Sequence, residues 1–217
     1  MDDRAEHRAD MARNIFKERS DWGEPVNATG GQTEGALIMS LVPPLTATDA
    51  APAAQANLAK IEKAFGTVPN MFAVVANSPA ALQSMWGSFG AFSTGALGAA
   101  LTEQIAVAVA DTNDCRYCLA AHTALGSQAG LSAEELATAQ RARAADPKTE
   151  ALLQFAHSLV ENRGKVDRGE ITGLREHGWT DGQIVETIAQ VGLNLFTNYI
   201  NIALDVPVDF PEVPFQR

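Results

Sequence analysis

The chain has few cysteines and few positive charges. Among its 217 residues are only two cysteines, and 16 lysine and arginine residues stand against 26 aspartate and glutamate residues, for a net charge of −10. Two cysteines are too few to form the disulfide framework of a small secreted domain. An acidic chain repels phosphate groups, so we expect neither a nucleic acid nor an anionic membrane surface as a partner.

The first twenty residues also lack a long apolar run of the kind found in secretory signals. These residues, MDDRAEHRADMARNIFKERS, carry charges throughout, so we expect a cytoplasmic protein. The longest apolar stretch, residues 184–204, contains a polar residue at every third or fourth position, which makes it a poor membrane span. These residues form one stripe: Glu186, Gln190, Asn194, Asn198 and Asn201. We therefore expect this helix to be buried in a bundle or in a subunit interface, and the protein to be a homo-oligomer.

Helix signals recur from about residue 48 onwards, and no alternating strand pattern competes with them. The sequence therefore predicts an all-α protein. One helix should carry Leu58, Ile61 and Phe65 on one face and end at Gly66. Further helices are expected to begin at Ser78, Thr102, Ser132, Pro147 and Thr180.

Residues 1–38 differ in composition from the rest. They are charged at first and then become rich in glycine and small polar residues, while Met39 resembles a second start. We divide the chain into an N-terminal extension, 1–38, and an all-α domain, 39–217. The extension could be a tail, an arm that clasps a neighbouring subunit, or the product of an early translation start.

Both cysteines lie within the ten residues NDCRYCLAAH, 113–122. Cys115, Cys118 and His122 are spaced by three and four residues, which places them on one face of a helix. If Asn113 or Asp114 caps this helix, the helix dipole stabilises a thiolate in its first turn, and His122 can accept the thiol proton. The pattern favours a redox dithiol. Part of a zinc site, for which this stretch offers three of four ligands, and two cysteines packed in the core are the alternatives.

Glu103 precedes Cys115 by twelve residues. Directly after the expected cap Thr102, its carboxylate would stabilise the start of a helix. Its spacing to the cysteines offers a second interpretation, as a functional residue.

The segment EQIAVAVADTNDCRYCLAAH resembles the motif of the alkylhydroperoxidase D family, within the carboxymuconolactone decarboxylase-like superfamily. The segments FGTVPNMFAVVANSPAAL and GWTDGQIVETIAQVGLNLFTNYIN are similar to peroxidase-related members, so the resemblance covers residues 41–210. It implies a helical bundle assembled as a trimer or hexamer. It also implies an antioxidant enzyme that reduces alkyl hydroperoxides, with H2O2 as a further substrate, and a lipoyl-type or other dithiol reductant.

The resemblance also implies roles for four residues. Cys118 corresponds to the peroxidatic cysteine and Cys115 to the cysteine that resolves it into a disulfide. Glu103 and His122 correspond to a proton relay. Neither a cofactor nor a metal ion is implied.

One departure from the family pattern lies between the cysteines. The best-known members carry a histidine there, whereas this chain has Arg116 and Tyr117. A tyrosine with an ordinary pKa near 10 is a poor proton shuttle. Arg116 either stabilises a thiolate or faces solvent.

Two questions remain open at this level. The helix dipole favours Cys115 as the more acidic thiol, whereas pairing with His122 favours Cys118, which we expect to dominate. Alternative functions are a protein disulfide reductase or adaptor with the same dithiol, a decarboxylase-branch enzyme, and a non-catalytic member. The branch that decarboxylates lactone acids lacks this pair of cysteines, so the motif argues against it.

Overall fold

Helices account for all regular secondary structure in residues 40–216, the part of the chain that the computed structural model describes. This confirms the predicted all-α class, while the expectations for residues 1–38 lie outside the described residues. The helices are α1 Pro52–Phe65, α2 Asn70–Val75, α3 Pro79–Phe92, α4 Ala99–Thr112, α5 Arg116–Gln128, α6 Ala133–Gln140, α7 Pro147–Glu161, α8 Arg168–Glu176 and α9 Asp181–Ala203.

Most predicted helix ends are confirmed, because each depends on a hydrogen bond within a few residues. The Ser78 side chain accepts from a backbone N–H of the first turn of α3. Ser132 and Thr180 each open a capping box with the third residue of their helix. Pro147 is the first residue of α7. Gly66 ends α1 with φ of 79°, a left-handed conformation that glycine adopts without strain.

The predicted start at Thr102 is wrong. Helix α4 begins one turn earlier, with Gly98 as its cap at φ 77°, and the Thr102 hydroxyl donates to the Gly98 carbonyl at 2.8 Å. The intervening residues, 99–101, are two alanines and a leucine, which propagate a helix well. Helices α2 and α8 were not predicted, although Asp167 and Glu170 form a readable capping box at the start of α8.

Helix α4 lies at the centre of the fold. It packs against α5, α6, α7 and α9, and its residues 103–111 are all buried. Helix α9 runs beside α2, α3, α4, α5, α7 and α8, so its inner face contacts most of the molecule. The C-terminal segment returns to this core, where Asp209 accepts from the backbone N–H of Asn70 at 2.8 Å.

Helix α9 has its polar face turned to the bundle and its apolar face turned to solvent, which is the reverse of an ordinary surface helix. Four members of its polar stripe are buried against the bundle, and Glu186 is half-buried. The opposite face exposes large apolar side chains: Val185 (64% exposed), Ile188 (43%), Tyr199 (60%) and Ile202 (48%). In the single chain the bundle therefore buries only the polar face of this helix, and burial of the apolar face in a subunit interface stays a prediction. No helix in residues 40–216 has both the length and the hydropathy needed to cross a membrane.

Candidate active site

The two cysteines lie at the start of helix α5, and the residue that caps this helix differs from the predicted one. Cys115 itself is the cap, and its sulfur accepts from the backbone N–H of Cys118 at 3.4 Å. The prediction that Asn113 or Asp114 caps this helix is wrong. Asn113 still ends α4, Asp114 turns the chain at φ 61°, and Cys115 N–H donates back to Ala110 O at 2.9 Å. The connection between α4 and α5 is so short that the cap falls on the first cysteine.

Glu103 and His122 face each other across the packed helices α4 and α5. Glu103 Oε2 lies 2.8 Å from His122 Nδ1, and both residues are buried. Glu103 is a full turn inside α4 and so does not stabilise the helix start, which corrects that interpretation. Gly126, one turn after His122, permits the close approach of Leu136 in α6, since a Cβ at this position would lie 2.6 Å from Leu136 Cδ2.

This pairing changes the acidity of the imidazole. Burial alone lowers the pKa of His122, but the hydrogen bond to Glu103 and the negative charges of Glu103 and Cys118 outweigh it, so the pKa is raised. With Nδ1 engaged by Glu103, Nε2 is the ring nitrogen that remains for exchanging a proton.

Cys118 is the more acidic of the two thiols. Burial raises its pKa, but this is outweighed by the hydrogen bond from Cys115, the charge of His122 and the amides of Asn201 and Asn198, which together lower the pKa to about 7. The pKa of Cys115 is raised, because it shares a hydrogen bond with Cys118 and is buried. Both cysteines are almost inaccessible to solvent, at 2% exposure for Cys118 and 1% for Cys115.

Tyr117, which lies between the two cysteines, is held in structural contacts. Its hydroxyl accepts from the backbone N–H of Met71 at 3.2 Å, and its ring meets Phe210 edge-on at 5.7 Å. Burial and the nearby Asp209 carboxylate raise its pKa further above the ordinary value. A tyrosine so held does not shuttle protons near neutral pH. Arg116 is exposed at the start of α5.

A cavity of about 300 Å³ reaches the Glu103–His122 pair from the side of α1 and α3. Its outer wall is aromatic: Phe65, Phe72, Trp86 and Phe89. Phe72 lies at its centre, with ring centroids 5.8 Å from Trp86 and 6.0 Å from Phe89, both edge-on. Cys118 is not part of the lining, but Met71 is.

The chain is similar to known proteins in sequence and in fold. The sequence model of the carboxymuconolactone decarboxylase family matches residues 79–161, which hold Glu103, both cysteines and His122. Structures described as peroxidase-related proteins share the fold. One, an alkylhydroperoxidase AhpD core from Ralstonia eutropha JMP134, has a TM-score of 0.71 at 23% identity over 79% of this chain and 93% of its own.

Residues 79–161 are similar to the carboxymuconolactone decarboxylase family, and the described part of the chain has the fold of the alkylhydroperoxidase AhpD core. A peroxidase-related protein from Silicibacter sp. TM1040 has a TM-score of 0.69 at 22% identity, over 86% of this chain and 98% of its own. A variant of the debrominase Bmp8, solved with 2,3,4-tribromopyrrole, has a TM-score of 0.67 at 18% identity, over 82% and 94%. A comparison with curated protein sequences finds no significant match.

Sequence reasoning missed the contribution of α9 to the candidate site. Asn201 Nδ2 lies 3.2 Å from Cys118 Sγ, and the Cys118 thiol can donate to Thr197 Oγ1 at 3.9 Å. The polar stripe was visible in the sequence, but nothing there indicated which helix it would face. The aromatic cavity was missed for the same reason.

The remaining histidines of the described region lie apart from the dithiol. His157 Nδ1 bonds to Thr112 Oγ1 at 2.9 Å, and His177 Nδ1 bonds to the Gly173 carbonyl at 2.8 Å. Within residues 40–216, no three His, Cys, Asp or Glu side chains are grouped so that they could hold a metal ion.

Proposed function

We propose that this protein is a thiol-dependent peroxidase that reduces organic hydroperoxides through Cys118 and Cys115. The observation that carries the proposal is the buried thiol of Cys118, whose pKa is lowered to about 7 beside a second thiol and the Glu103–His122 pair. A thiolate at neutral pH is the form that attacks a peroxide, and a neighbouring thiol allows the product to close into a disulfide.

The proposed cycle oxidises Cys118, forms the disulfide with Cys115 and then reduces it again. The Cys118 thiolate attacks the terminal oxygen of the hydroperoxide, an S–O bond forms, the O–O bond breaks, and the leaving alkoxide takes a proton from His122. Cys115 then attacks the sulfenic acid; the S–S bond forms and water leaves. Glu103 stabilises the imidazolium form of His122 until His122 donates its proton to the leaving alkoxide. An external dithiol, of the lipoyl type implied by the family, returns both cysteines to thiols and is itself oxidised to a disulfide.

The cavity supports an organic substrate rather than H2O2. Its aromatic wall offers apolar contact to an alkyl or aryl group, and its inner end reaches His122. Met71 lines the cavity, and its sulfur shares the Asn201 amide with the Cys118 sulfur, at 3.2 Å each. Met71 is therefore the side chain whose movement would connect the cavity with Cys118, and its flexible thioether suits that role.

We further propose a homo-oligomer of the trimeric or hexameric kind, with the exposed apolar face of α9 in the interface. Four large apolar side chains lie on that one helix face. Exposed apolar groups of this kind commonly mark contacts between proteins. The extension 1–38 and the domain 39–217 remain the proposed division of the chain.

The test uses the reduced full-length chain. Cumene hydroperoxide or H2O2 is added in stoichiometric amount, thiols are blocked after set times, and intact mass reports disulfide and sulfenic acid. We expect rapid conversion to the disulfide with cumene hydroperoxide, slower conversion with H2O2, and continuous turnover when dihydrolipoamide is supplied. Rapid exchange with protein disulfides but no peroxide reaction would favour a disulfide reductase. Two intact thiols under all conditions would indicate a non-catalytic member.

A further inference from the structure

We propose that Asn201 is a catalytic residue of this site, whose side-chain amide donates a hydrogen bond to Cys118 Sγ and stabilises the thiolate. Its part in turnover rests on the proposed peroxidase function. Its effect on the thiol itself does not, so the two can be tested separately.

The contact joins two residues 83 positions apart in the chain. Asn201 lies in the last turn of α9 and is 4% exposed, and its Nδ2 lies 3.2 Å from Cys118 Sγ. The same nitrogen lies 3.2 Å from Met71 Sδ. Within the described residues, both hydrogen-bond acceptors of this amide nitrogen are therefore sulfur atoms.

A neutral sulfur atom is a weak hydrogen-bond acceptor, so these contacts would stabilise the fold very little. A thioether and a neutral thiol are weak acceptors, so a buried amide that donates only to them is badly compensated for its lost water. Asn194 lies about two turns earlier on the same face of α9, and it instead donates to the carbonyl of Gln190 at 2.9 Å. Once Cys118 is ionised, the contact becomes a charge-assisted hydrogen bond of about twice the strength of a neutral one. The arrangement therefore favours the thiolate over the thiol.

A second amide of α9 acts in the same direction. Asn198 is fully buried, and its Oδ1 accepts from Asn113 Nδ2 at 2.9 Å. That bond orients the amide. Asn198 also contributes to the lowered pKa of Cys118, although its Nδ2 makes no hydrogen bond within the described residues. Asn113 ends α4 just before the dithiol, so the orientation of Asn198 is tied to the backbone that carries Cys115.

The amides differ from the other groups around Cys118 in one respect. The titratable neighbours that shift the pKa of this thiol are Cys115 and His122, and the influence of each changes with its own protonation. Tyr117 also lies nearby, but its raised pKa keeps it neutral in the range where Cys118 titrates. An amide does not titrate. Its stabilisation of the thiolate is present at every pH, so its removal should move the whole titration of Cys118 to higher pH.

The test measures the thiolate directly by its absorbance near 240 nm from pH 4 to 9 in the reduced full-length protein. In that range the first thiol to titrate is Cys118, because the pKa of Cys115 is raised. Two near-isosteric variants are compared: Asn201→Leu removes the donor, and Asn201→Asp replaces it with a negative charge. Thr187→Val is the matched control, since Thr187 is a fully buried residue on the same helix whose hydroxyl donates to the Gln183 carbonyl at 2.9 Å.

We expect Asn201→Leu to raise the pKa of Cys118 from about 7 to about 8–9, the effect of losing one hydrogen bond to a charged group. Asn201→Asp should raise it at least as far, and Thr187→Val should leave it unchanged. With cumene hydroperoxide at pH 7, oxidation of Cys118 should slow about five- to fifty-fold in the Asn201 variants, in proportion to the lost thiolate. The rate should recover as the pH passes the new pKa.

An unchanged pKa of Cys118 in either folded variant would overturn the proposal. Circular dichroism establishes which variants are folded, and Asn201→Asp carries the test if Asn201→Leu does not fold. A shifted pKa together with no peroxide reaction in the wild type would refute the peroxidase function and leave the role of Asn201 standing.

Discussion

Replacing Glu103 by glutamine would separate the charge of this buried carboxylate from its shape. In Glu103→Gln the side-chain oxygen can still accept from His122 Nδ1, which lies 2.8 Å from the carboxylate oxygen in the wild type. The hydrogen-bonded geometry is therefore kept, while the negative charge that raises the pKa of His122 is lost.

The size of the effect follows from two steps. A hydrogen bond to a charged group contributes about 1.5–3 kcal/mol, and one pKa unit corresponds to about 1.4 kcal/mol, so the pKa of His122 should fall by about one to two units. A neutral imidazole then replaces an imidazolium whose attraction to a nearby thiolate is about 3–4 kcal/mol at an effective dielectric constant of 20. Some of that attraction is lost for Cys118, and proton delivery to the leaving alkoxide weakens as well. Together these changes should slow peroxide reduction at pH 7 by about 10²-fold, within the range of general acid–base catalysis.

The assay is stopped-flow oxidation of the reduced protein by cumene hydroperoxide between pH 5 and 9. The exposed residue Glu134 supplies the control, as Glu134→Gln removes an equal charge from the first turn of α6, far from the dithiol in the chain. We expect Glu134→Gln to react at the wild-type rate and Glu103→Gln to react slowly, with its optimum moved to higher pH as the pKa of Cys118 rises.

Thermal unfolding distinguishes a charge effect from simple damage. A raised folded pKa means that protonated His122 stabilises the protein fully below the unfolded pKa of about 6.5, and that this contribution is lost as pH rises through the folded pKa. In a Cys118→Ser background, where this thiol no longer titrates, Glu103→Gln should therefore lower Tm more at pH 5.5 than at pH 8.5. Wild-type rates combined with an equal loss of Tm at both pH values would refute this reasoning.

Four further predictions concern the thiols, the cavity, the surface and the N-terminal extension. Cys115→Ser should still be oxidised at Cys118, giving a sulfenic acid that proceeds to sulfinic acid under excess peroxide, whereas Cys118→Ser should leave Cys115 reduced at low peroxide. Peptide mapping with a sulfenic-acid probe checks both, and labelling of Cys115 in the second variant at the wild-type rate would reverse the assignment. Trp86→Ala should reduce kcat/KM for cumene hydroperoxide about 10-fold or more and leave that for H2O2 within about twofold, because it removes apolar contact area from the cavity wall; equal losses for both substrates would argue against a substrate-binding cavity. Ile188→Glu should shift the mass measured by light scattering towards that of a monomer, while a wild-type protein that is already monomeric at micromolar concentration would contradict the proposed interface. A chain that begins at Met39 should keep its helical circular dichroism and thiol chemistry, and loss of either would make the extension structural.

The sequence by itself determined the features that depend on short spacings. Capping serines and threonines bond to backbone groups three residues away, so the starts of α3, α6 and α9 could be predicted. The three- and four-residue intervals between Cys115, Cys118 and His122 placed them on one helix face before any fold was known. The apolar periodicity of the remaining segments sufficed for the all-α class.

Local signals failed where two of them competed. Three good helix formers after Gly98 extended α4 past the expected cap at Thr102. Asn113 or Asp114 was predicted to cap α5, but the connection between α4 and α5 is so short that Cys115 is the cap. Both outcomes depend on how the flanking helices pack, and a cap preference of about 1 kcal/mol is too small to resist that packing.

Only the tertiary structure decided which groups surround the reactive sulfur. Glu103 could be read as a helix-start acid until the packing of α4 on α5 brought it to His122. The polar stripe of α9 could have faced solvent or a second subunit, yet it faces inward and brings Asn201 to Cys118 across 83 residues of chain. Such a contact cannot be predicted from the spacing of residues in the sequence, because it depends on how two helices are placed relative to each other. The sequence therefore specified the dithiol, and the packing of the bundle specified the environment that sets its acidity.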